Sequence, residues 1–116
     1  MTRDYRDYLE DILTAIDETI EFTAGMSFEA FCADRKTINA VVRSLEVMGE
    51  AAKRIPDDLR AQAPDLPWKY MAAMRDKLIH EYFGVDLGIV WTVIQKELPP
   101  VRPEIARLVH ARTDSE

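Results

Sequence analysis

The sequence predicts an all-α domain, a four- to five-helix up-and-down bundle. Three observations predict it. Apolar residues recur at i, i+3, i+4 and i+7 in segment after segment, the spacing that puts them on one face of a helix. No stretch shows the strict alternation of a half-buried strand. Glycine, proline and capping residues stand where each periodic run stops. At 116 residues, residues 1–116 fit a single domain, and a chain of this size buries roughly 65% of its unfolded surface without help from a metal or disulfide.

The elements follow in order. Residues 3–23 form a long amphipathic helix on Leu9, Ile12, Leu13, Ile16 and Ile20, ended by Gly25. Ser27 caps a short helical turn around Phe28–Cys32. Asp34 caps a second long helix, about 35–54, striped with Ile38, Val41, Val42, Leu45, Met48 and Ala52 and stopped by Pro56. One more turn follows within Asp57–Gln62. Pro64 and Pro67 bracket a loop, and Pro67 suits the first position of a third long helix over 67–82, which carries Trp68, Met71, Met74 and Leu78 and ends at Gly84. Asp86 caps a fourth, about 87–97. Pro99 and Pro100 break the chain or start a last helix over 100–112 with Val101, Ile105, Leu108 and Val109.

Composition excludes several classes of protein. One cysteine, Cys32, allows no internal disulfide, and a single cysteine with two histidines makes a structural zinc site improbable, so no metal and no cofactor is expected. Cys32 itself reads as a small buried hydrophobe. No apolar run approaches the roughly 20 residues that cross a bilayer, and the charged N-terminus is unlike a signal peptide; the expectation is a cytoplasmic protein that does not bind membranes. A net charge of −6 argues against a generic nucleic-acid binder, but the charge is uneven. Residues 1–21 hold seven acids against two arginines, a net of −5. Residues 35–54 hold five cations against Glu46 and Glu50, a net of +3. That pattern fits either a local basic surface or two solvated helix faces of opposite sign.

The chemistry concentrates in Arg75-Asp76-Lys77-Leu78-Ile79-His80-Glu81-Tyr82. Arginine stays charged and can hold a phosphate with two parallel hydrogen bonds. Histidine moves protons near neutral pH. Asp76, four residues before His80 and on the same helix face, has the chemistry to fix the histidine tautomer. Arg75 and His80 lie five residues apart, about 140° round the axis. Their tips converge only if the arginine wraps, if the helix loosens near Gly84, or if a second chain completes the site. The competing reading is a solvated or structural pair. Glu46 and Glu50 share a face of the second helix, suited to acid–base work or, more ordinarily, to ion pairs. Gly49 between them permits close helix contact, perhaps at a dimer seam. Arg43, Lys77, Glu46 and Glu50 are candidates for support or RNA contact. Trp68, Tyr70, Phe83 and Trp91 read as core or interface anchors, and His110 as a surface residue.

The string Met74-Arg-Asp-Lys-Leu-Ile-His-Glu-Tyr-Phe-Gly-Val-Asp86, followed by Val90-Trp91 and Leu98-Pro99, resembles the HepT-like branch of the HEPN superfamily, as do Ile38–Lys53 and Pro67-Trp68. The resemblance implies an all-helical homodimer acting as a metal-independent ribonuclease, the toxin of a toxin–antitoxin pair. By position it implies Arg75 and His80 as the catalytic pair and Asp76 as the polar neighbour, often asparagine in such proteins. It implies Tyr82 as the tyrosine that a cognate MntA-like minimal nucleotidyltransferase antitoxin modifies with AMP. The alternative is a non-catalytic dimeric partner of a nucleotidyltransferase, in which 75–82 is a docking and modification segment.

Overall fold

Helix ends in this chain are written by short side chains that satisfy the first free backbone N–H groups. A computed structural model describes residues 4–80 and 86–114, and the side chains at 77–80 and 112–114 are not among those described. Helix α1, Tyr5–Thr23, starts with a capping box in which Asp4 accepts from the Arg6 amide and Asp7 accepts from the Asp4 amide. It closes through Gly25, whose φ of 77° lies in the left-handed region glycine tolerates. Ser27 accepts from the Ala30 amide to open α2, Phe28–Ala33. Asp34 caps α3, Arg35–Lys53, taking both the amide and the hydroxyl of Thr37. A single turn, α4, spans Asp57–Arg60, and α5 spans Trp68–His80. Asp86 accepts from the Gly88 and Ile89 amides at the start of α6, Leu87–Thr92.

The last part differs from the sequence expectation. Pro99 and Pro100 neither break the chain nor begin a separate helix. Val93–Glu97 is a π-helical turn, and α7 runs on from it as Leu98–Asp114. The amide of Leu98 bonds back five residues to Val93. Proline has no amide to give, and its ring collides with the carbonyl four residues earlier. Widening the preceding turn to i→i+5 spacing relieves that collision without ending the helix.

The described residues hold no strand, and the architecture is the all-α one expected. Helix α3 is the centre, with α1 packed on one side and α5 on another, while α7 packs on α1. Helices α1 and α3 run antiparallel: the Ser44 hydroxyl donates to Glu18, at the far end of α1 from Tyr8 and Asp11, which share a cavity with Glu50 and Ala51. The core draws Leu9, Ile12 and Ile16 from α1, Val41, Leu45 and Met48 from α3, and Ile105 and Leu108 from α7. Arg102 binds Asp17 through Nε and Nη2 and locks α7 to α1. Arg60 reaches back to the carbonyls of Ala52 and Ile55 and satisfies the open end of α3. No helix among the described residues is long and apolar enough to cross a membrane.

Other departures have simple causes. Ile20 continues the α1 stripe but is exposed, because the buried face of this last part of α1 runs through Thr19 and Thr23. Thr19 and Thr23, buried in its place, donate their hydroxyls to the carbonyls of Ile16 and Thr19 one turn back. Cys32 is exposed, not buried, because Phe31 is the residue of α2 that faces inward. Phe31 packs on Trp91, with ring centroids 5.2 Å apart, and Phe28 sits 6.0 Å from the same indole. Trp68 is buried with its ring N–H on the Ala63 carbonyl, whereas Tyr70 is exposed; His110 is exposed, as expected.

The centre of the bundle fixes one expectation. Leu45, in the middle of α3, is fully buried in the core, so Leu45→Ala should cost about 2–5 kcal/mol. Urea titration followed by circular dichroism reads this as a lower midpoint with an unchanged slope.

Candidate functional site

The site is built where α3 and α5 touch backbone to backbone. A Cβ placed on Gly49 would sit 2.3 Å from the Cβ of Arg75 and 2.8 Å from the Met71 carbonyl oxygen. Only glycine permits this approach. The contact lies inside one chain, between its own helices.

Close approach brings polar side chains of the two helices together. Glu50 Oε2 lies 3.2 Å from Arg75 Nε, and its other oxygen, Oε1, accepts from Arg54 Nη2 at 3.1 Å. Asp76 Oδ1 accepts from Arg75 Nη1 at 3.0 Å and from Lys53 Nζ at 2.8 Å. The Lys53 ammonium, and after it the Arg75 guanidinium, hold the Asp76 carboxyl below its ordinary value of 3.8. The Arg75–Glu50 pair is partly exposed, with side-chain exposures of 31% and 40%. Pairs of that kind contribute about 1 kcal/mol or less to stability, so the pair chiefly sets where the guanidinium points.

Beside the network lies a cavity of about 220 Å³, lined by Tyr8, Asp11, Arg43, Glu46, Glu50 and Arg75. The structure thus gathers Arg75, Asp76, Arg43, Glu46 and Glu50 into one region. The backbone of Lys77 and His80 belongs to α5, but their side chains lie outside the described residues, as does the whole of Tyr82. Helix α5 stays regular through His80, which keeps the angle of about 140° between positions 75 and 80. The loosening expected near Gly84 lies outside the described residues.

Sequence reasoning missed Lys53 as a partner of Asp76, and Tyr8 and Asp11 as walls of the cavity. Gly49 was the available signal: a glycine inside a helix costs about 1 kcal/mol relative to alanine, and here it marks the point at which two helices cross.

Two expectations follow. Gly49→Ala should push α3 and α5 apart and destabilise the protein by about 1–3 kcal/mol, which thermal unfolding measures. For Asp76, a carboxyl pKa lowered by folding contributes stability fully above 3.8 and loses it as pH falls through the lower folded value. Urea midpoints of wild type and Asp76→Asn should therefore differ at pH 7 and converge below pH 3.8.

Comparison with known proteins completes the description. Residues 12–108 match the family model described as ribonuclease HepT-like. A probable ribonuclease HepT of Thermococcus cleftensis is 47% identical over 108 residues, covering 93% of this chain and 98% of that protein. A candidate RNase of Methanocaldococcus jannaschii is 45% identical over 107 residues, covering 92% of this chain and 88% of its own. A candidate RNase of Caldanaerobacter subterraneus subsp. tengcongensis is 46% identical over 104 residues, covering 90% and 93%. No solved structure matches the chain.

Proposed function

This chain belongs to the ribonuclease HepT-like family, and from that premise we propose that it is a metal-independent endoribonuclease, the toxin of a toxin–antitoxin pair, working through Arg75 and His80. The observation that carries the reading is the placement of Arg75. Its guanidinium is held at the mouth of a cavity by two carboxylates, an arrangement suited to meeting a phosphate.

In the proposed reaction His80 takes the proton of an RNA 2′-hydroxyl, and the imidazolium so formed gives one to the departing 5′-oxygen. The 2′-oxygen–phosphorus bond forms as the phosphorus–5′-oxygen bond breaks. Arg75 balances the charge that builds on the phosphate oxygens. Asp76, turned toward Lys53 and Arg75, serves the arginine in this scheme. Arg43, on the cavity wall, and Lys77 are candidates for contact with neighbouring phosphates. A homodimer is part of the proposal, and the regular path of α5 supports it: with about 140° between positions 75 and 80, a second subunit offers the direct way to put an arginine and a histidine on one phosphate. We further propose Tyr82 as the residue that a cognate MntA-like nucleotidyltransferase modifies with AMP. Added phosphate charge there would oppose a polyanionic substrate.

A second reading draws on the local charge balance. Around the site Arg43, Lys53, Arg54 and Arg75 stand against Asp11, Glu46, Glu50 and Asp76, which suits a docking surface for a protein as well as a nuclease cleft. In that reading the chain is a non-catalytic dimeric partner of a nucleotidyltransferase.

Incubation of freshly purified protein with tRNA in a chelator separates the two. The nuclease reading expects cleavage that His80→Ala and Arg75→Ala each reduce at least about 100-fold, the scale of a positioned acid or base. Equal cutting by wild type and His80→Ala, or none by unmodified wild type, would sink it. Intact mass after co-expression with the nucleotidyltransferase should rise in AMP steps that Tyr82→Phe abolishes, with RNase activity lost as the mass rises.

A further inference from the structure

We propose that Glu50 is a positioning residue that fixes the plane of the Arg75 guanidinium for the scissile phosphate; this deepens the ribonuclease reading and rests on it. Arginine carries its charge on a long flexible stem, and an arginine left free must be ordered when substrate binds. Here two carboxylates from two helices take two different nitrogens. Glu50 of α3 makes an ion pair with Nε at 3.2 Å, and Asp76 of α5 accepts a hydrogen bond from Nη1 at 3.0 Å. Two points fix the orientation of a planar group. Among the described residues neither contact uses Nη2, so the outer edge of the fork keeps N–H groups for a phosphate.

Glu50 is itself held. Its carboxylate is divided, with Oε1 on Arg54 and Oε2 on Arg75, so it is braced along its own helix by an i, i+4 contact. Gly49, one residue before it, brings α3 close enough for a glutamate to reach Nε. Asp76, the immediate chain neighbour of Arg75, moves with α5 and reaches α3 through Lys53. Glu50 contacts the guanidinium from α3 directly.

The charge of Glu50 works against binding a polyanion. Removing it would strengthen the hold on ground-state RNA if charge were its only effect. A positioning role predicts the opposite effect on the chemical step, because misplacing a catalytic group by about 1 Å can cost 10²-fold. The two parameters should therefore separate: Glu50→Ala should lower kcat by about tenfold or more without raising KM. Glu50→Gln keeps an oxygen that can accept from Nε. It should recover most of kcat and lower KM.

The experiment compares wild type, Glu50→Ala and Glu50→Gln in two ways. Cleavage of a short RNA gives kcat and KM. Nitrogen-15 NMR gives the exchange rate of the Arg75 Nε–H, assigned by its absence in Arg75→Lys. A slowly exchanging Nε–H in wild type and Glu50→Gln, lost in Glu50→Ala together with kcat, supports the proposal. An unchanged kcat in Glu50→Ala overturns it, as does a fall in kcat that Glu50→Gln does not restore. If Glu50→Ala does not fold, the Nε–H exchange and kinetics of Glu50→Gln against wild type decide. A wild-type Nε–H exchanging as fast as that of a free arginine overturns the proposal whether or not RNA is cut. Absence of cleavage with a protected Nε–H instead strikes the ribonuclease reading and leaves the Glu50–Arg75 link standing.

Discussion

Where α3 crosses α5, there is no room for even a methyl group at Gly49. The contacts of the Arg75 network that join the two helices, Glu50 to Arg75 and Lys53 to Asp76, depend on that crossing. On its inner side Met48 and Ala52 of α3 and Met71 and Met74 of α5 are buried in the shared core. On its outer side it brings Glu50 and Lys53 within hydrogen-bonding distance of Arg75 and Asp76. The cost of about 1 kcal/mol for glycine inside a helix is offset by a contact that serves core and site together.

The rest of the molecule keeps that crossing in place. Helix α1 is tied to α3 through Ser44 and Glu18 and to α7 through Asp17 and Arg102. Arg60 closes the C-terminal end of α3 immediately beyond Lys53, so the last turn that carries Lys53 and Arg54 is not left with open carbonyls. The buried indole of Trp68, at the start of α5, donates its ring N–H to the Ala63 carbonyl in the connecting loop. Both helices of the site are therefore anchored at the end nearest the connecting loop, and the loop between them holds their relative position. A guanidinium held by partly exposed ion pairs can be well oriented only on a base of this kind, because such pairs are too weak to organise two helices by themselves.

Most helix boundaries were legible because their causes are local. Asp34, Ser27 and Asp86 each cap within three residues, and the left-handed turn at Gly25 needs only glycine. The stripes Leu9-Ile12-Ile16 and Val41-Leu45-Met48 were legible for the same reason, since they follow from the 3.6-residue turn alone. The passage from α6 to α7 was not. Two prolines ordinarily end a helix, and the π turn that absorbs them depends on what the preceding carbonyls can do. Cys32 was misread because a six-residue helix is too short for a periodicity to say which side faces inward. At the site, Arg75 and Asp76 stood out by residue type and spacing. Their partners on α3 lie more than 20 residues away, and nothing in the sequence gives the angle at which two helices cross.

The electrostatics of the site sharpen the functional argument. The chain carries a net charge of −6, and the carboxylates around Arg75 match its neighbouring cations. A molecule of this charge gains no long-range attraction for a polyanion; strong electrostatic steering belongs to surfaces dominated by the opposite sign. Binding of RNA, as proposed, must therefore come from short-range contacts made after encounter. Within such contacts a fixed arginine is worth more than a mobile one, because its ordering has already been done by folding. The carboxylates that weaken the far field are the groups that give the near field its direction. Acidity and a phosphate-directed arginine are compatible on these terms: the molecule gives up rate of encounter and keeps geometry at the point of reaction.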